Sequence, residues 1–144
     1  MSRLKQAARA AVFALGALLL PSIAQAADMI AGDGFVGECA EPSYLSRISS
    51  LFVYRVHHVP NLPDVRIEDF QDIHENRYEP EREYWPIARR YCGATVVLSN
   101  GHRRDLWYLI EDKMGFAGFG DNVEFCVSGF DPWYVYNGRC RVLR

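Results

Sequence analysis

The chain carries four cysteines, Cys39, Cys92, Cys126 and Cys140, and no two of them form a C-x-x-C pair. That spacing is poor for a metal site or a thioredoxin-like redox site, both of which want close pairs. It suits cross-links between distant parts of one small domain. Cysteines read as disulfides only where the compartment is oxidising. The compartment therefore decides what these four residues can do.

The start of the chain speaks to that question. Arg3, Lys5 and Arg9 come without any acid, an apolar stretch runs from Ala10 to Leu20, and Pro21 breaks it. Ala24-Gln25-Ala26 then supplies small residues where signal peptidase needs them. This is the pattern of a cleaved secretory signal. The apolar run is about 11 residues, against the ~20 that a spanning helix requires. No run of spanning length follows, and Gly37-Glu38 before Cys39 make no lipobox. Residues 1–26 are expected to be removed after about Ala26, which leaves a periplasmic or secreted chain without a membrane span. The four cysteines then predict two disulfides, each adding about 3–4 kcal/mol by the chain-entropy argument. That is a large share of the ~5–15 kcal/mol a domain typically has.

Cleavage also changes the charge. It removes three of the 16 Lys and Arg and leaves 13 against 18 Asp and Glu, so the net charge moves from −2 to −5. A net acidic, exported domain is a poor partner for nucleic acid or for an anionic membrane surface. At this length one domain is expected, with residues 27–38 as a flexible lead-in and 39–144 as the folded part.

Leu45, Ile48, Phe52, Val56 and Val59 recur at three- and four-residue spacing, which predicts a helix over 42–57. Pro42 suits its first turn, and Pro60 and Pro63 end it. Residues 64–83 hold eight acids against Arg66, Arg77 and Arg82. Val65, Ile67 and Ile73 predict a polar strand over 65–78, broken near Asp69–Phe70, and Pro80 and Pro86 bracket a loop. Asn100-Gly101 between two β-rich runs predicts a hairpin. A two-residue turn would pair Val96 with Asp105. A three-residue turn with Gly101 left-handed would pair Ala94 with Leu106 and Cys92 with Tyr108, keeping the apolar sets on one face. The second register is preferred. Val123–Ser128 is the next strand, with Val123, Phe125 and Val127 on one face and Cys126 on the other.

The order of elements predicts an α+β fold: one N-terminal helix packed on a curved antiparallel β-meander. In such a meander Cys92 and Cys126 lie two strands apart, about 10 Å, too far for a bridge. Cys39–Cys92 with Cys126–Cys140 is favoured, and Cys39–Cys126 with Cys92–Cys140 is the alternative.

Several runs are similar to stretches of a known family. They are Arg89-Arg90-Tyr91-Cys92-Gly93-Ala94-Thr95-Val96, Leu98-Ser99-Asn100-Gly101, Trp107-Tyr108-Leu109-Ile110-Glu111, residues 115–126, Gly129-Phe130-Asp131 and Cys140-Arg141. Together they resemble a family of short, signal-bearing, uncharacterised alphaproteobacterial proteins with no assigned activity. The resemblance spans about residues 39–144. It implies a Gram-negative periplasm and carries over no catalytic residue.

Candidate sites are few. Asp72-Ile73-His74-Glu75 sets carboxylates beside a histidine, which would suit a metal or an acid–base pair. In a regular strand Asp72 and His74 share a face and Glu75 does not. H-E-x-x-H and H-x-H spacings are absent, so a solvated polar edge is the weightier expectation. His57-His58 fall at the helix end, where imidazole meets the dipole favourably. No serine sits in G-x-S-x-G, and the adjacent Glu111-Asp112 point to opposite faces of a strand. The Gly115–Gly120 loop does not follow the dinucleotide pattern. Phe116, Phe119, Phe125, Phe130, Trp133, Tyr134 and Tyr136 crowd into the C-terminal quarter. Some must be core. If Phe116, Phe119, Trp133 and Tyr134 are exposed near the glycine loop, they form a contact surface. The expectation is a binding or structural module without a cofactor, whose partner is a periplasmic protein, a peptide or a glycan. An enzyme or metal binder built on Asp72 and His74 is the alternative.

Overall fold

The structure is a computed structural model, and it describes residues 37–115 and 120–144. The expected signal segment and most of the expected lead-in lie outside those residues, as do Phe116 and Phe119. A 3-10 helix, Gly37–Ala40, takes in the last two lead-in residues and leads into helix α1, Pro42–His58. Four strands follow: β1 Ile67–Glu79, β2 Arg89–Leu98, β3 Arg103–Glu111 and β4 Asn122–Val127. They form one antiparallel sheet in the order β1-β2-β3-β4. The fold is the predicted α+β arrangement.

Helix α1 forms where the periodicity places it. Pro42 needs no N–H in the first turn, and the Glu41 carbonyl accepts from the N–H groups of Tyr44 and Leu45. Ile48, Phe52 and Val56 are buried on one stripe. They meet Cys92, Ala94, Val96 and Leu98 of β2, Leu106, Tyr108 and Ile110 of β3, and Val123, Phe125 and Val127 of β4. Burying a side chain such as Phe52 is worth about 1.5–3 kcal/mol. Its ring also meets Phe130 edge-on, with centroids 4.9 Å apart.

The β2–β3 hairpin has the three-residue turn. Gly101 is left-handed at φ 79°, Ala94 faces Leu106, and Cys92 faces Tyr108. The Leu98 N–H bonds the His102 carbonyl, which leaves Ser99-Asn100-Gly101 as the loop. Strand β1 is less regular than expected. The single predicted break becomes three register shifts, and Asp72 adopts φ 52° inside the second. The acid-rich composition explains this. β1 is an edge strand, and bulges with outward charges keep an edge from pairing with another chain.

Both disulfides follow the favoured pairing. Cys39–Cys92 spans 53 residues and Cys126–Cys140 spans 14. The first joins the entry to α1 to a central strand. Beside it the Tyr108 hydroxyl donates to the Cys39 carbonyl, and burial raises the pKa of that hydroxyl, so it stays protonated and able to donate. The second pins the C-terminal tail onto the sheet face opposite the helix. There Cys126, Cys140 and Leu143 pack with Tyr91 and Leu109, flanked by Trp107 and Tyr136. The tail thus divides its aromatics: Phe130 goes under the helix, and Tyr136 joins the other face.

Chain entropy predicts a ranking of the two links. Replacing Cys39 and Cys92 by Ser should cost about 4 kcal/mol, and replacing Cys126 and Cys140 about 3 kcal/mol. Denaturant unfolding of the two variants checks this; equal losses or the reverse order would show that native packing, not loop length, sets the contribution.

Candidate functional site

The histidine candidates do not converge. His57 Nε2 lies 3.1 Å from Asp64 Oδ1 at the surface. His58 stacks on Tyr54, with ring centroids 3.8 Å apart, and its Nδ1 meets the Tyr54 carbonyl at 2.7 Å, so it caps the last helical turn. His102 follows the hairpin turn and makes no side-chain hydrogen bond with either among the described residues. The bulge separates the functions of Asp72 and His74. The Asp72 carboxylate turns to Arg103 at 3.5 Å, while His74 Nδ1 meets the Asp72 backbone carbonyl at 2.7 Å. The His74 ring covers Gly93, where an added Cβ would fall 2.6 Å from Nε2, and it stands edge-on to Trp107. Among the described residues no group of three or more His, Cys, Asp or Glu is placed to hold a metal.

A polar cluster occupies the end of the sheet where α1 begins. Asp121 receives the Tyr44 hydroxyl on one carboxylate oxygen and the Lys113 N–H on the other, at 2.9 Å, and its carbonyl accepts from Arg47. It therefore closes the glycine loop at both ends and ties it to the helix. The Tyr44 hydroxyl and then the Lys113 N–H hold the Asp121 carboxyl below its usual range. Burial, then the charges of Asp121 and Glu38, push Asp112 up. Nearby, Arg90 bridges Glu38, at 2.8 Å, and Glu75. Every one of these groups except Asp112 is engaged in holding segments together.

The aromatic candidates are better placed for contact. Trp133 is 66% exposed and Tyr134 72%, with Val135 exposed beside them. The loop that presents them is fixed. The two carboxylate oxygens of Asp131 accept from the Val135 and Tyr136 N–H groups, both at 2.9 Å. Tyr134 is held at φ 55°, a conformation that costs a bulky residue about 1–3 kcal/mol. Arg55 and Val59, near the end of α1, line the shallow cleft beneath Trp133. The glycine loop meets the other end of α1 through Asp121. Trp133 and Tyr134 therefore do not adjoin the described ends of that loop, Gly115 and Gly120.

A second aromatic set escaped the sequence reading. Tyr78, Tyr84 and Trp85 are exposed at the β1–β2 connection, Tyr84 by 84% and Trp85 by 65%. The available signal was a Tyr-Trp pair in a loop bracketed by Pro80 and Pro86. No protein-family model matches the chain, and no significant match is found among curated proteins or solved structures.

Two outcomes test this reading of the polar residues. Gly93→Ala should destabilise the fold by about 1–2 kcal/mol through overpacking, and adding His74→Ala should recover most of the loss, as read by denaturant unfolding. A depressed carboxyl stabilises the fold above its unfolded value, ~3.9, and the gain is lost as pH falls through the lower folded value. The stability gap between the natural chain and Tyr44→Phe should thus be about 1 kcal/mol near neutral pH and narrow below about pH 4. A gap independent of pH would mean that the Tyr44 hydroxyl acts without Asp121.

Proposed function

We propose that the chain is exported by a signal peptide cleaved after about Ala26, and that the remaining domain is a non-enzymatic binding or structural module of the cell envelope. Its partner is a periplasmic protein, a peptide or a glycan. The single observation behind this reading is the Trp133-Tyr134-Val135 surface. Three large apolar side chains stand in solvent on a loop fixed by Asp131, by the Cys126–Cys140 link and by a strained Tyr134 backbone. A rigid aromatic loop loses little conformational freedom on binding, and Trp and Tyr are enriched among the residues that dominate interface energies.

The rest is consistent with that reading. Two disulfides suit an oxidising compartment. Among the described residues no helix is long and apolar enough to cross a membrane. The resemblance to signal-bearing alphaproteobacterial proteins supports a periplasmic address.

The test uses the exported, oxidised protein, whose mass should correspond to cleavage near Ala26. Immobilised protein should retain a specific partner from periplasmic extract, and Trp133→Ala should weaken that retention by about thirtyfold, the size of a dominant interface residue. Absence of any partner, or identical partners with Trp133→Ala, would overturn the surface assignment. A mass corresponding to the full precursor would overturn the export assignment.

A further inference from the structure

A cleft of about 430 Å³ opens between the end of β1, the β1–β2 connection and the start of β2. That is within the ~300–1,000 Å³ range of small-molecule sites. Its walls combine two chemistries. Tyr78, Trp85 and Ile87 supply apolar faces, and Arg82 and Arg89 supply guanidinium groups.

The apolar walls are held in place. The Arg90 guanidinium lies 4.3 Å from the Tyr78 ring centroid, and Arg90 is itself pinned by Glu38 and Glu75. Trp85 belongs to a small bridge with Arg82, closed by two backbone hydrogen bonds of 2.8 and 2.9 Å. Residues directly opposite in such a bridge project to the same side. One local element therefore presents an aromatic face and a cation together.

The charges are unequally matched. Glu79 also lines the cleft, but it pairs with Arg77 at 3.2 Å. Arg89 gives its Nε to Glu111 at 3.0 Å, and its terminal nitrogens have no partner among the described residues. No carboxylate among the described residues pairs with Arg82. The cleft thus offers positive donors next to flat apolar surface, in a chain whose net charge is negative. A guanidinium matches a carboxylate in a two-point hydrogen bond. Inorganic phosphate would leave Tyr78, Trp85 and Ile87 uncovered. A neutral sugar would leave the arginine charges unmatched.

We propose that this cleft binds a small organic carboxylate with a flat apolar body, an aryl-alkanoate, whose ring lies against Trp85 and whose carboxylate meets Arg82. The site lies at the end of the sheet formed by Glu79, Arg89 and Glu111, whereas Trp133 follows the opposite end of β4. The two assignments stand or fall separately.

The experiment follows the indole N–H signal of Trp85 by NMR in the oxidised, exported protein, with Trp85→Phe to assign it. 3-Phenylpropionate should shift that signal saturably. 3-Phenylpropanamide, the same body without the charge, should bind about tenfold more weakly, and so should the acid to Arg82→Gln. Trp133→Ala should leave the response unchanged. Arg82 is exposed, so its replacement should keep the dispersed spectrum of the folded domain, and Arg82→Lys, which keeps charge but not the two-point match, should bind with intermediate strength. The assignment is overturned if no saturable shift of Trp85 occurs, if the amide binds as well as the acid, or if Arg82→Gln binds like the natural chain.

Discussion

The link between Cys39 and Cys92 is the constraint on which the rest of the domain depends. Cys39 lies in the turn that precedes α1, and Cys92 lies near the start of β2, an inner strand. Both are fully buried. Joining them fixes where the helix starts relative to the sheet. The Tyr108 hydroxyl adds a second tie from β3 to the Cys39 carbonyl. With that end fixed, the stripe of Ile48, Phe52 and Val56 meets the inward residues of β2, β3 and β4. Arg90, two residues before Cys92, draws Glu38 and Glu75 to the same end and carries Tyr78 with it. Covalent, apolar and ionic contacts there reinforce one placement of the helix.

Much of this was readable from sequence, and the reasons differ by element. Helix α1 was legible because its apolar period and its prolines agree. The hairpin register was legible because a shift of one residue would have sent Leu106 and Tyr108 to the wrong face. Strand order in the meander disfavoured a Cys92–Cys126 bridge, and of the two pairings left the favoured one is observed. Strand β1 was only partly legible. Its irregularity answers the needs of a sheet edge, and local propensity does not encode three separate bulges. The tail was the least legible. Phe130 and Tyr136 lie six residues apart with no periodicity to sort them, yet one packs under the helix and the other on the opposite face. The turn held by Asp131 and the path to Cys140 separate them.

The candidate sites show the same contrast. Asp72 and His74 looked like a pair because a regular strand would have aligned them. A left-handed Asp72 removes that premise and leaves His74 as a lid over Gly93. Trp133 and Tyr134 are exposed, a placement the sequence left open between core and surface, and they stand at the far end of α1 from the glycine loop beside which a contact surface was considered. Tyr84 and Trp85 left only a Tyr-Trp pair between Pro80 and Pro86, which reads as ordinary loop in an acidic stretch, and Tyr78 gave no signal of its own. Their relation appears only when β1 and β2 pair across the sheet end, with Tyr78 opposite Arg90 and Glu79 opposite Arg89. Charge assignment required the same step, because the sequence cannot tell which arginines already have partners.

The Cys126–Cys140 link closes a covalent ring that contains the whole exposed aromatic loop. Exposed loops are the preferred sites of proteolytic nicking, and this one presents the side chains that proteases with aromatic or aliphatic preference accept. A cut anywhere between Asp131 and Arg139 would open the ring into two arms without releasing either one. Leu143 would stay seated beside Cys140 on the sheet, and Phe130 would stay under the helix. The ring therefore makes a nick in this surface a local change of shape, with no fragment lost, and lets the domain keep its core.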